Sequence, residues 1–217
     1  MNLEKMELSL LSEVFQQPIR TFPGSRPLPE VDPGMNPLHN GYVMSYTTLG
    51  DRALLFMSPT GAWLWNISTN LPIPLSHLPT DLYIFEVEVT PGEIYISDVL
   101  VYANRVVISR DYLERLETAR KWSDAYRGNK QLLSSDTTAC RSAYGEYVIG
   151  AGVHTIRIRR IYPAFQIEGF WKRRTREVQG IVFHRLLVRY EPFCSSGLLE
   201  WQPGRKKASV KKEHPSL

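Results

Sequence analysis

Residues 45–56 read SYTTLGDRALLF. A polar tip, Gly50-Asp51-Arg52, separates two runs that alternate or cluster apolar residues, which predicts strand, turn, strand, with Gly50 supplying backbone freedom at the turn. The pattern continues outward from it. YVMSYTT (42–48) and RALLFM (52–57) are expected to pair as an opening hairpin, and GAWLWNI (61–67) follows the turn SPTG (58–61). DLYIFEVEV (81–89) and EIYISDVLVY (93–102) flank Thr90-Pro91-Gly92 as a second hairpin. Trp63 and Trp65 alternate with Leu64 and share the opposite face, an arrangement that suits core packing.

Helical patterns are fewer. Residues 3–17 are expected to form an amphipathic helix with Leu8, Leu11 and Phe15 on one side. Residues 110–127 place Leu113, Leu116 and Ala119 at helical spacing with charges opposite. Between 22 and 41 the prolines of FPGSRPLPEVDPGMNPLHNG predict irregular chain, and residues 128–146 are polar and small, a loop. HTIRIRRIYPAF (154–165) reads as an edge strand with basic residues beside solvent or a phosphate backbone, and GIVFHRLLVRY (180–190) as a buried strand running into a more polar one. The chain divides into an N-terminal helix (1–19), a core domain (20–204) and a basic tail (205–217). The expected class is a single α+β domain dominated by antiparallel sheet.

Composition narrows the function classes. The chain has 217 residues, 43% of them hydrophobic, enough for one sizeable core, and no apolar run reaches membrane-spanning length. Residues 1–17 carry acids among their apolar residues and lack the basic start of a signal peptide, so secretion is not expected. Cys140 and Cys194 show neither metal spacing nor a disulfide framework, which fits a reducing compartment. The five histidines are scattered, and no phosphate loop, zinc motif or serine elbow occurs. No metal or cofactor is expected on these grounds.

Charge is distributed unevenly. Lys and Arg number 26 against 22 acids, but Arg157, Arg159, Arg160, Lys172, Arg173, Arg174, Arg176, Arg185 and Arg189 are opposed between 154 and 189 only by Glu168 and Glu177. A one-sided cationic surface attracts a polyanion, most commonly nucleic acid. Arg157, Arg159, Arg160, Lys172, Arg173 and Arg174 are therefore the candidate RNA contacts, set against a merely solvated basic face. The tail GRKKASVKK (204–212) reads as a disordered end, with a nuclear-targeting segment or a nonspecific RNA tether as weaker alternatives.

The order of segments carries a resemblance. FPGSRP (22–27), SYTTLGDRALLF, the second hairpin, TIRIRR, QGIVF (179–183) and LLEWQP (198–203) succeed one another as do the motifs of the nucleotidyltransferase domain of mRNA capping enzymes (RNA guanylyltransferases). The resemblance spans about residues 20–204 and implies a guanylyltransferase/ligase-like fold. Laid on the family's Lys-x-Asp-Gly-x-Arg signature, Thr47 stands at the nucleophilic lysine and Leu49 at the aspartate, while Gly50 and Arg52 are kept. Tyr83 stands at the metal-supporting glutamate, Gln179 at the later strand's aspartate, and Glu200 and Gln202 at the two phosphate-binding lysines. A threonine cannot replace the amine without an activating base. With 16 residues after Trp201, the OB-fold lid of capping enzymes is not expected.

Those losses are similar to those of snurportin-like cap-binding domains, in which a tryptophan of the final motif stacks on a methylated guanine cap. The resemblance implies Trp201 as the stacking residue, with Arg52, Gly50 and Tyr83 around the ligand, because a flat cationic base suits an indole face. The N-terminal segment here lacks the Arg-rich importin-binding start of snurportins. The implied partners are capped RNA or a guanine nucleotide and a capping, transcription or nuclear-import protein, with no membrane, in the nucleus or cytoplasm. Two alternatives stand beside this pseudoenzyme reading: an active mRNA guanylyltransferase with a displaced lysine, and a scaffold subunit that binds no nucleotide.

Overall fold

A computed structural model describes residues 24–27, 41–47, 50–65, 70–73, 78–90, 92–128, 149–151, 154–174, 178–190 and 194–201. The expected helix at 1–19 and the tail after 204 lie outside these residues. Among the described residues there are thirteen strands: β1 Gly24–Pro27, β2 Tyr42–Thr47, β3 Asp51–Ser58, β4 Gly61–Trp65, β5 Asn70–Pro72, β6 Tyr83–Thr90, β7 Glu93–Tyr102, β8 Arg105–Val106, β9 Ile149–Ala151, β10 His154–Ile158, β11 Tyr162–Pro163, β12 Gly180–Arg185 and β13 Cys194–Trp201. Helix α1 spans Tyr112–Gly128 and α2 spans Ile167–Lys172, the latter entered through a 3-10 turn at Ala164–Gln166.

The strands form two sheets. The smaller has the order β1-β13-β12-β2-β11, and the larger β5-β4-β3-β6-β7-β10-β9, with β8 paired to β7. All pairs are antiparallel except β1 with β13 and β7 with β10. The β6–β7 hairpin forms as its sequence predicts, with Gly92 in the left-handed region at φ 81°. β3 and β4 pair across the SPTG turn.

The opening hairpin does not form. β2 lies between β12 and β11 in the small sheet, whereas β3 lies between β4 and β6 in the large one. The chain between Thr47 and Asp51 therefore crosses from one sheet to the other. The reason is burial. Ala53 to Ser58 are all buried, so β3 needs cover on both faces and takes an interior position. Strand periodicity identifies such a segment without saying which sheet it joins.

Three other expectations are corrected. β10 is not an edge strand, since it pairs with β7 on one side and β9 on the other. The Pro-rich segment is not wholly irregular: residues 24–27 pair along β13 at the sheet edge, where Pro27 is tolerated. Leu113 is 45% exposed, while Tyr112, Leu116, Ala119 and Trp122 face inward. The start of α1 sets that phase: Asp111 Oδ1 accepts from the Glu114 N–H at 2.9 Å, and Glu114 Oε2 accepts from the Asp111 N–H at 3.4 Å, a capping box.

Arg115 also faces inward. Its guanidinium grips Asp98 of β7 at 2.7 and 2.8 Å and donates to the Arg110 and Val188 carbonyls at 2.5 and 3.1 Å. This fork joins α1, the large sheet and the segment after β12. Removing one member leaves a buried charge unpaired, so Asp98→Ala is expected to cost about 3–5 kcal/mol. Urea unfolding checks this, and a loss below about 1 kcal/mol would contradict the structural role.

Candidate functional site

Strand alternation defines which side chains look between the sheets. On β6, Tyr83, Phe85 and Val87 point to the core covered by α1, where they meet Ala119 and Trp122. Glu86 and Glu88 point the other way, with Arg52 opposite Glu88 on β3 and Tyr95 opposite it on β7. On the small sheet, Ser45, Val182 and Glu200 lie in register, as do Val43 and His184. Met44, Tyr46, Ile181, Phe183, Leu199 and Trp201 alternate with these and pack on the far side, against Ala164, Phe170 and Trp171. The face of the large sheet that carries Glu86 and Glu88 thus joins these polar groups to an apolar cluster of Leu54, Phe56 and Ile84 with Trp63 and Trp65, and the outer face of the small sheet is aromatic.

Carboxylates and arginines are matched between the sheets. Arg52 is ion-paired with Glu86, whose other oxygen accepts from the Tyr190 hydroxyl at 2.7 Å. Arg159 is ion-paired with Glu88 and donates to the Tyr46 carbonyl of the small sheet at 3.2 Å. Arg157 meets Glu93 at 2.8 Å, and Tyr95 donates to the same carboxylate. Glu86 and Glu88 are 4% and 8% exposed, so these two carboxylates are shielded from water. Burial draws the Arg52 guanidinium below its ordinary value, and Arg159 adds to this, while Tyr190, Glu88 and Glu200 oppose it. Three arginines thus face three glutamates here, with Glu200 adding a fourth negative charge near Arg52.

Gly50 sits at the crossing and donates its N–H to Glu88 Oε1 at 3.2 Å. It is not among the positive-φ glycines. What excludes a side chain is close approach: a Cβ at 50 would lie 2.5 Å from Glu88 Cγ and 2.8 Å from the Val89 carbonyl oxygen. The glycine is needed for space, not for backbone freedom.

The residues singled out from sequence separate into three groups. Gly50, Arg52, Thr47 and Glu200 lie on the inner faces, with Thr47 buried and its carbonyl accepting from the Gln179 N–H at 3.0 Å. Gln179 itself is exposed. Tyr83 is not with them: its ring packs at 6.1, 5.5 and 6.3 Å from those of Phe85, Tyr102 and Trp122, on the other face of the large sheet. A glutamate at 83 would face that apolar core too. The strand's inward carboxylates are Glu86 and Glu88, which the sequence reading missed although IFEVEV places both on one face. Trp201 is also elsewhere, on the outer face of the small sheet, 4.8 Å from Trp171 at 68°. Arg52, Gly50, Tyr83 and Trp201 therefore do not line one pocket. Leu49 and Gln202 lie outside the described residues.

The basic run also divides. Arg157 and Arg159 turn inward to carboxylates from β6 and β7. Arg160, Lys172, Arg173 and Arg174 are exposed. The described lysines, Lys121 and Lys172, are both exposed on helices, so no amine stands near Thr47 among the described residues. No group of three or more His, Cys, Asp or Glu side chains suited to a metal ion occurs among them either, and no described helix is long and apolar enough to cross a membrane.

No protein-family model and no curated protein sequence matches the chain. Among the solved structures similar to it are those of DNA ligases. Mycobacterial DNA ligase D complexed with ATP and MES is 11% identical at a TM-score of 0.50, over 84% of this chain and 60% of that one. The ligase domain of M. tuberculosis LigD gives 12% and 0.49, over 82% and 58%, and a minimal-scaffold Lig E DNA ligase gives 11% and 0.46, over 82% and 68%. The chain spans about 60% of the ligase D structures it matches. The fold is nucleotidyltransferase-like. The likeness is to ligases and not specifically to mRNA capping enzymes.

His184 adds a pH-sensitive element. It is half-buried, its Nε2 lies 3.3 Å from Ser45 Oγ, and its ring stacks on Tyr112 at 4.5 Å and 4°. Burial, aided by the charges of Arg159, Arg52 and Arg115, lowers its pKa from 6.5 to about 3. The folded protein then stays unprotonated where the unfolded chain takes up a proton. Stability from this group is complete above pH 6.5 and falls as pH drops toward 3. Between about pH 6 and pH 5, His184→Gln is expected to flatten the stability curve by up to about 1.4 kcal/mol per pH unit, as measured by urea titration at each pH. An unchanged slope would mean that His184 titrates normally.

Proposed function

We propose that this chain is a nucleotidyltransferase-like protein that binds RNA, with a 5′ cap or guanine nucleotide as its end group, and transfers no nucleotide. The observation that carries the reading is the engagement of Arg52 and Arg159 by Glu86 and Glu88. A covalent transferase needs a nucleophile for the α-phosphate and cations for the triphosphate charge. Here Thr47 stands where the resemblance puts the lysine. The inward arginines are already neutralised, and Glu200 repels a polyphosphate. The binding half of the reading rests on the exposed bases Arg160 and Lys172–Arg174 and on the tryptophan retained at 201.

The active guanylyltransferase and the non-binding scaffold are the other outcomes of one experiment. Incubation with radiolabelled GTP and magnesium, then ATP and magnesium, is expected to leave no adduct on a denaturing gel. Thr47→Lys alone is expected to leave none either, since catalytic groups act as a unit. An adduct on the parent protein would establish a transferase. RNA and cap-analogue titrations that show no binding would leave the scaffold.

A further inference from the structure

We infer that α2, where it covers the outer side of the small sheet, and not the space between the sheets, forms the ligand surface, and that it takes a single-stranded polynucleotide by stacking on the layered Trp171–Arg174 pair. The inference rests on the RNA-binding reading above and gives it a site. Trp171 lies on α2, which packs across β12 and β13. It meets Trp201 edge-on, and the Arg174 guanidinium carbon lies 4.0 Å from its ring centroid. That cation is fixed in place by a bond from its Nη1 to the Trp171 carbonyl at 2.9 Å. An indole layered with a guanidinium is a surface on which any base can stack, because every base has a π face.

The charge around it suits a phosphate backbone. Lys172 and Arg173 follow Trp171 directly and are exposed, and Arg160 stands over the neighbouring Tyr162 ring at 5.3 Å. Against these four cations, with Arg174 the fourth, the described residues of α2 and its 3-10 turn present only Glu168. Phe165, on the 3-10 turn that leads into α2, is 72% exposed. An apolar protein partner would have to desolvate these cations without pairing them, and an acidic peptide would make no use of the stacked rings. The arginines of the inner faces are already engaged by carboxylates.

The test uses the full chain and a labelled ten-nucleotide single-stranded RNA, with the DNA equivalent as a second arm, read by fluorescence anisotropy against salt. Trp171→Ala is expected to weaken binding by about 5- to 150-fold, the loss typical of one stacked base. Lys172→Ala with Arg173→Ala leaves the aromatic cluster in place and is expected to lower the log–log salt slope by about 1.4. If Trp171→Ala fails to fold, the double variant carries the test alone. Equal binding of the DNA arm supports the same stacking surface. RNA binding by the parent that both variants retain, with the same slope, would overturn the site and leave the functional reading standing. No RNA binding by the parent would overturn both.

Discussion

The Arg159 guanidinium holds the two sheets in register with each other. One nitrogen is paired with Glu88 of the large sheet and the other donates to the Tyr46 carbonyl of the small one. Gly50 completes the arrangement, since its N–H binds the same carboxylate and its missing Cβ lets the crossing chain pass over Glu88. A buried arginine left without its carboxylate is costly, so the crossing at 47–51, the face of β6 and the end of β10 are mutually constrained. Arg52–Glu86–Tyr190 and Arg115–Asp98 repeat the device farther along, and Arg115 draws in the chain after β12 through the Val188 carbonyl.

This interior has a functional consequence. A polyphosphate between the sheets would need uncompensated positive charge. In this chain the arginines there are paired with carboxylates before any ligand arrives. A triphosphate would have to displace Glu86 or Glu88 from its arginine, which removes a charge-assisted hydrogen bond to make another. The exposed cations Arg160 and Lys172–Arg174 face no such competition from described carboxylates beyond Glu168, and they lie around aromatic rings. The proposal of binding without transfer rests on this distribution.

Much of the fold was legible in the sequence. The β6–β7 hairpin follows from Thr90-Pro91-Gly92 between alternating runs, α1 from its helical spacing, and the order of motifs from FPGSRP to LLEWQP pointed to the nucleotidyltransferase-like fold. Strand alternation alone requires Glu200 and Trp201 to face opposite ways. What it could not supply was which face met the other sheet. That depends on α2 covering the Trp201 side, a non-local packing choice with no periodic signal. The SYTTLGDRALLF segment misled for the same reason, because local pattern gives two strands but not their partners. The pairing of Arg157 and Arg159 with Glu93 and Glu88 was hidden by distance along the chain, 64 and 71 residues.

The division into a self-satisfied interior and a ligand-binding exterior is tested most directly by nuclear magnetic resonance of the indole and guanidinium groups during titration with a capped single-stranded RNA. Shifts of the Trp171 and Trp201 indole and Arg174 guanidinium signals, with those of Arg52 and Arg159 unmoved, are the expected result. Shifts at Arg52 and Arg159 with both tryptophans unmoved would contradict it and return the ligand to the space between the sheets.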